Sequence, residues 1–432
     1  MKRKQPVKLP DDLSEPRWFK GCARQGGDAC ARITIDNIRC KQGCGMVAAQ
    51  QMTGNEYRIS YERQGDDLVL QMGPQHPSTH GVLRLELVLD GELVKHVRPH
   101  IGYLHRCFEK HCEALTYPQV IPYTDRMDYV GAMCQELGYV LAVEKLMGLT
   151  DLPPRLHYIR MLMAELQRIA SHLLAVGTYG LDVGAITPFL WCFRDREKIL
   201  DMFEWVSGAR LLYNYLWIGG VAHDLPSGYL DKVREFITYF EPRVTELNDL
   251  LSLNKIFIER TANIGIMSPA VAISYGVGGP NLRGSGVRWD LRKEEPYCAY
   301  DRLDFNVPVG TGEYGPVGSA WDRYMVRVRE MLESLKILRQ VIDQMPSGDP
   351  NGGMPRRIRP PEGDVYMRTE SPRGEIGYYL VSDGSKKPLR CKGRSPCFTA
   401  ISALNAISQG ALIADAVAIV GSLDIVLGEV DR

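Results

Sequence analysis

The chain has 432 residues, 45% of them hydrophobic and 24% charged, enough for two or more core-forming units of an ordinary globular protein. Lys plus Arg and Asp plus Glu both number 52, so the formal net charge is zero and nothing in the balance argues for nucleic acid as the main partner. The longest apolar runs, such as 411–420, are interrupted by Asp415 and too short to span a bilayer, which leaves any membrane contact to partner chains.

The N-terminus opens Met-Lys-Arg-Lys-Gln-Pro and lacks the apolar core of a secretory signal. Four of the eleven cysteines (Cys22, Cys30, Cys40, Cys44) crowd this stretch, with seven, nine and three residues between them. That spacing fits neither a zinc ribbon nor a cluster-binding run. Residues 1–65 read as an extension, poorly ordered at least to 51, with Met46 and Met52 as alternative starts. The remaining cysteines, from Cys107 onward, are scattered through regular elements and read as reduced cytosolic thiols.

From Asp67 the pattern sharpens. Leu68–Met72 and Val82–Leu89 alternate as strands, and Asp90-Gly91 turns the second into Leu93–Val97, a β-hairpin signature. Between the first two strands lies a Gly/Pro-bounded loop, Gly73-Pro-Gln-His-Pro-Ser-Thr-His-Gly81, carrying His76 and His80. Such a loop is held by rigid neighbours while its side chains face outward, and imidazole is a natural proton donor near neutral pH. Helices are expected at 126–147, at 156–176 behind Pro153-Pro154, and at 188–208, 230–253 and 321–345. After a Pro/Gly-rich break at 346–361, strands 365–370 and 377–382 precede Asp383-Gly384 and a further strand at 388–392. A last helix is expected over 399–420, followed by a tail, 421–432. The fold class is α+β: a long-helix bundle flanked by small antiparallel sheets. Its regions are 66–120 (N-terminal α/β), 121–345 (central helical bundle) and 346–432 (C-terminal hairpin and helix).

Six of nine histidines fall between His76 and His111, but no carboxylate or thiol stands at a recognised ligand spacing, so no metal site is expected. The glycine-rich stretch 276–286 lacks the strand-to-helix context and Lys-Ser/Thr ending of a phosphate loop and reads as a structural turn. From the residues alone, Tyr129 is an interfacial tyrosine at a helix start and Asp182 a cap or turn residue before Gly184.

Several ordered blocks change that reading. They are Gly73–Leu85; Pro99-His-Ile-Gly-Tyr-Leu-His-Arg106; Asp125-Arg-Met-Asp-Tyr129; Ala142–Leu146; Leu181-Asp-Val-Gly-Ala185; Arg283–Gly286 with Trp289–Lys293; and Gly428-Glu-Val-Asp-Arg432. Together they resemble the 49 kDa-type (D) subunit family of respiratory complex I, the proton-translocating NADH:quinone oxidoreductase. The resemblance covers nearly everything from about residue 66 to the end. It implies a peripheral-arm protein related in fold to the nickel–iron hydrogenase large subunit. It implies contact with the B, C, I and H subunits of the complex, at the cytoplasmic face of the bacterial inner membrane. Quinone is then the substrate, reduced by the terminal [4Fe–4S] cluster of the B subunit, with NAD bound elsewhere in the complex and no metal on this chain. The resemblance assigns His80 and Tyr129 as hydrogen-bond and proton donors to the quinone headgroup and Asp182 as the carboxylate pairing with the histidine. Arg106 is the arginine near the terminal cluster, and His76 shapes the loop. Quinone reduction needs two electrons and two protons, and a neutral tyrosine with an Asp-supported imidazolium can supply the protons.

Departures from the family are expected to matter. Leu212 stands where many members carry a titrating histidine, and Trp217 where an arginine is usual; the segment between Met345 and Val365 lacks a helix the family places there. The first two suggest a cluster of lower, less pH-dependent potential, matched to a low-potential quinone. A hydrogenase would need two cysteine pairs, around 125–128 and 424–429, and neither stretch contains cysteine. A homologue fed by ferredoxin or another donor, and a scaffold without quinone chemistry, remain as alternatives.

Overall fold

The computed structural model describes residues 60–64, 67–74 and 81–432. The expected extension up to residue 51, with its four cysteines, lies outside the described residues, as do His76 and His80.

A four-stranded antiparallel sheet opens the fold: β1 (Ser60–Gln64), β2 (Asp67–Met72), β3 (Arg84–Asp90) and β4 (Leu93–His100), paired in sequence order. In β3, Leu85, Leu87 and Leu89 are buried while the residues between them face outward, the period of two that pins the register. The hairpin turns at Gly91, whose φ of +60° suits glycine.

Next come α1 (Phe108–Ala114), α2 (Tyr117–Asp125) and α3 (Ala132–Met147). The long α4 (Pro154–Asp182) follows, with proline at its first turn where no intrahelical N–H is needed. It is buried on most of its circumference, as a central helix must be. Around it pack α3, α5 (Ile186–Ser207) and, from later in the chain, α11 (Ala320–Asp343). Between α5 and α11 run the short pair β5 (Leu216–Trp217) and β6 (Gly220–Val221), then α6 (Tyr229–Leu247), which ends in a π-turn at Asn248–Ser252. Four short helices follow: α7 (Lys255–Thr261), α8 (Pro269–Ser274), α9 (Gly279–Gly284) and α10 (Leu291–Glu294). A second antiparallel sheet contains β7 (Glu362–Ser371), β8 (Gly374–Asp383) and β9 (Arg390–Arg394). The chain closes with α12 (Pro396–Ser402), α13 (Leu404–Ser408), α14 (Ile413–Ser422) and α15 (Leu427–Asp431). Mixed helices and small antiparallel sheets make this an α+β architecture.

Several expectations need correction. The helix anticipated from 126 begins at Ala132; residues 126–131 form a turn in which the Asp128 carboxylate accepts from Val130 N at 3.2 Å. The helix expected over 399–420 is three helices. Gly410, at φ +76°, bends the chain so that its N–H donates to Val94 O (2.8 Å), while Val94 N donates to Ala411 O (2.9 Å). Bonding to the exposed edge of β4 wins over helix continuation there. Residues 421–432 are no tail: α15 is buried throughout. The glycine-rich 276–286 is not merely a turn, since α9 sits inside it and Gly279 presses its backbone on that of Gly374. Only residues without Cβ fit that approach.

The core of the bundle holds buried charge. Arg283 donates to Glu330 (2.8 Å) and Glu370 (2.7 Å), and Arg292 to Glu165 (3.0 Å) and Asp290 (2.7 Å), all of them fully buried. His172 lies 2.8 Å from Glu330; burial keeps its imidazole neutral, so Nε2–H donates. These pairs tie α4, α9, α10, α11 and β7 together.

Candidate functional site

Tyr129 stands in the turn between α2 and α3 and is 40% exposed, unusual for an aromatic whose neighbours in sequence are buried. Among the described residues, Arg373, Asp128, Arg106 and Cys397 act on its hydroxyl electrostatically. Burial of its inner face, with the Asp128 charge, raises its pKa above the usual phenol value, so it is held as a neutral O–H donor.

Behind it, Asp128 is fully buried and accepts from Arg373 Nη1 at 2.8 Å. Arg373 also donates to Ser171 Oγ (3.0 Å) and to Asp424 (3.3 Å). It sits at the two-residue tip of the β7–β8 hairpin, where Ser371 pairs with Gly374. The hairpin tip points into the core instead of solvent, seated by the Gly279–Gly374 backbone contact. Burial opposes its charge, but Asp128 and Asp424 hold the guanidinium firmly protonated. Asp424 is further bound by Arg327 (3.4 Å) and adopts a left-handed φ of +53°.

Asp182 is the last residue of α4 and packs against α14: a Cβ at Gly421 would lie 2.6 Å from Asp182 Oδ2 and 2.9 Å from the Tyr179 ring. Gly421 is three residues before Asp424. The 421–424 segment therefore links Asp182 to the Asp424–Arg373–Asp128 chain and so to Tyr129. His80, the partner expected for Asp182, lies outside the described residues.

Arg106 reaches the same turn from the other side. Its Nη2 donates to Arg126 O and to Gly428 O (3.4 Å), and partial desolvation lowers the guanidinium pKa. Its loop is clamped by the C-terminus. Asp431 accepts from Gly102 N (2.9 Å) and Leu104 N (2.8 Å), and Arg106 N donates to Arg432 O (3.1 Å).

Two acidic features escape a reading of the sequence. Glu429 on α15 is fully buried and accepts from Gln135 Nε2 (2.7 Å) and Cys397 N (3.3 Å). Asp125 and Glu136 form a buried carboxyl pair beneath the segment 214–216, whose N–H groups donate to them at 2.7–3.2 Å. Burial lifts Asp125 to about 6 and Glu136 well above the carboxylate range, as expected where two acids share one proton. In the adjoining segment, Leu212 takes a left-handed φ of +60°, and Trp217 Nε1 donates to Asn214 O (3.0 Å). Among the described residues, no group of three His, Cys, Asp or Glu side chains is disposed to hold a metal ion, and no helix is long and apolar enough to cross a membrane.

Comparison with known proteins gives this geometry its setting. The family model for the 49 kDa subunit of respiratory-chain NADH dehydrogenase matches residues 182–357 and 353–432. The NADH-quinone oxidoreductase D subunit of Pelodictyon phaeoclathratiforme is 56% identical over 394 residues, which span 90% of this chain and 98% of the relative. The D subunit of Chlorobaculum tepidum is 57% identical, over 88% of this chain and 96% of the relative. That of Chlorobium chlorochromatii is 58% identical, over 85% and 92%. The chain belongs to the 49 kDa subunit family of respiratory-chain NADH dehydrogenase.

At the stretches 125–128 and 424–429 this 49 kDa-type subunit carries Asp125, Asp128, Asp424 and Glu429, and the buried Arg373 neutralises two of them. Asp182, Arg373, Asp424 and Glu429 all lie within the segments matched by the 49 kDa family model.

Proposed function

We propose that this chain forms one wall of the quinone-reducing site of a proton-translocating NADH:quinone oxidoreductase, the other wall being the B subunit with its terminal [4Fe–4S] cluster. The observation that carries the reading is Tyr129: a phenol kept neutral, exposed on one side, and backed by a buried ion network on the other. In this reading the electrons arrive from the cluster, and Tyr129 O–H and the His80 imidazolium donate to the two carbonyl oxygens of the headgroup. Asp182 supports the imidazolium, and positive charge there stabilises the reduced ring. Arg106 faces the cluster from the edge of the same turn. The C, I and H subunits complete the surroundings, membrane contact at the cytoplasmic face is made through them, and the fold's kinship is with nickel–iron hydrogenase large subunits. The region boundaries at 66, 121 and 346 belong to the same reading. So does a cluster of weakly pH-dependent potential beside Leu212; a redox titration with a strong pH slope would remove it.

Tyr129→Phe in the assembled complex is the test. A proton donor in the transition state contributes roughly 100-fold or more. NADH:quinone turnover should fall by about that factor while NADH oxidation by a hydrophilic artificial acceptor stays intact. A scaffold homologue would keep both activities.

A further inference from the structure

Where the end of α4, the middle of α11 and the corner after α14 meet, a cavity offers about 10 Å³ to the centre of a water molecule, room for one. Its walls include Tyr179, Tyr324, Arg327, Gly421, Ser422 and Asp424, all of them buried. The Tyr179 ring is fixed against two of these walls. Its centroid lies 6.0 Å from that of Tyr324, and a Cβ on Gly421 would lie 2.9 Å from its edge. Arg327 stands one turn after Tyr324 on the same face of α11.

Two hydroxyls of these walls are engaged. Tyr324 OH lies 2.8 Å from Ser252 Oγ, and Ser422 Oγ donates to Ile419 O (2.7 Å) and accepts from Arg323 Nη2 (2.7 Å). Arg327 commits both terminal nitrogens: Nη1 to Arg323 O (3.0 Å) and Ser422 O (3.1 Å), Nη2 to Asn281 Oδ1 (3.0 Å) and Leu423 O (3.2 Å). Its fifth N–H, on Nε, is 3.4 Å from Asp424 Oδ2 but makes no hydrogen bond with it. Asp424 Oδ1 takes Arg373 Nη2 (3.3 Å), whereas Oδ2 accepts no hydrogen bond from the described residues. The Tyr179 hydroxyl has no hydrogen-bond partner among them either. One cavity is thus walled by three residues that each carry a buried, unmatched polar atom: a donor, an acceptor and a hydroxyl. Such atoms are costly inside a protein unless paired, and ordered water is their usual partner. Arg327 disfavours a cation in this space and Asp424 an anion, which leaves a small neutral molecule able both to donate and to accept.

We infer that this cavity is a binding site for one water molecule, which accepts from Tyr179 O–H and Arg327 Nε–H and donates to Asp424 Oδ2. Three hydrogen bonds are the usual complement of a buried water. Burial holds the Tyr179 phenol neutral, so its O–H is available to donate. The water joins α4, three residues before Asp182, to the corner residue that binds Arg373. It ties the Asp182 end of the fold to the ion network behind Tyr129 by hydrogen bonds, where the protein alone makes only packing contacts through Gly421. The water site goes beyond the proposed quinone chemistry and does not depend on it.

The test is a density map of the assembled wild-type complex at a resolution that shows other buried waters. A single peak is expected within about 3.2 Å of Tyr179 OH, Arg327 Nε and Asp424 Oδ2. No peak there, or one out of reach of the Tyr179 hydroxyl, would overturn the site. Tyr179→Phe in the same complex adds a test of sign. If the hydroxyl is bonded to water, its removal loses a hydrogen bond, and the thermal inactivation temperature should fall by on the order of 2 °C. If the cavity is dry, the same change removes an unpaired buried oxygen, and an unchanged or raised temperature would count against the water. Should Tyr179→Phe fail to assemble, the wild-type map decides alone. An active Tyr129→Phe complex would remove the quinone-site reading and leave the water in place, whereas a map without the peak removes the water and leaves that reading.

Discussion

Arg373 Nη1 donates to Asp128 at 2.8 Å, and Asp128 is the residue immediately before Tyr129 in the chain. The placement of the exposed phenol is therefore set by a cation delivered from a hairpin tip some 245 positions away in sequence. Because both partners are buried, removing Arg373 leaves Asp128 uncompensated, whereas removing Asp128 leaves Arg373 with Asp424 alone.

Arg373→Met is accordingly expected to destabilise the fold by about 3–5 kcal/mol, since Asp128 loses the one salt bridge it has among the described residues and Asp424 loses one of two. The amount of assembled complex and its thermal inactivation temperature should both fall. Arg373→Lys should recover charge but not the divergent bonds to Asp128, Ser171 and Asp424, giving an intermediate result. Wild-type stability in Arg373→Met would show that the network does not hold the turn.

Gly421→Ala tests the other end of the site. The added Cβ would lie 2.6 Å from Asp182 Oδ2 and 2.9 Å from the buried Tyr179 ring, so the carboxylate must move. Overpacking of this kind costs about 1–3 kcal/mol. If Asp182 positions a proton donor, quinone turnover should drop further than stability alone explains. The comparison of turnover with artificial-acceptor rate, per assembled complex, measures this.

Much of the frame was legible from sequence, and the reason is periodicity. The alternating Leu85, Leu87 and Leu89, the Asp90-Gly91 turn and the Pro-started α4 are local signals that tertiary structure had no cause to override. The three helices replacing one expected helix were missed because the interruption comes from the β4 edge, a partner far away in sequence. Tyr129, Asp182 and Arg106 were singled out by resemblance to a family and by no feature of spacing. Arg373, Asp128, Asp424 and Glu429 went unread because a charged residue in a turn or near a chain end looks solvated. Only the pairing across the fold shows that it is buried. The one available hint was the density of Gly, Arg and Asp in blocks such as 283–293, whose Arg283, Asp290 and Arg292 also proved to be internal.

The Asp125–Glu136 pair predicts a local pH dependence. Asp125 is raised from the ordinary 3.8 to about 6 by burial, so between those values the folded state keeps a proton that the unfolded chain has already released. The associated stability is full below the unfolded value and lost as pH rises through about 6. Asp125→Asn mimics the protonated form and should flatten that slope, with a gain on the order of 1–3 kcal/mol at pH 8 and little change at pH 4. Amide hydrogen exchange at 214–216, whose N–H groups bond to the pair, reads the effect directly. A slope unchanged by the substitution would mean that the proton resides elsewhere.

Asp431 carries the last prediction. Its two carboxylate oxygens take the N–H groups of Gly102 and Leu104, and its own backbone oxygen meets His105 Nδ1 at 2.7 Å, so one buried residue of α15 fixes the whole 102–106 loop. That loop bears Arg106, which in turn holds the carbonyl of Arg126 in the Tyr129 turn. Hydrogen bonds to a charged acceptor contribute roughly 1.5–3 kcal/mol. Asp431→Ala should therefore leave the bundle intact but loosen this loop, seen as faster amide exchange at Gly102 and Leu104 and earlier proteolytic cutting there. Asp431→Asn keeps one acceptor oxygen and should fall between the two. Because, among the described residues, Arg106 is the loop's hydrogen-bond link to the Tyr129 turn, the Ala variant should weaken quinone reduction less than Tyr129→Phe does; an equal loss would mean that Asp431 acts on the site by a route other than Arg106.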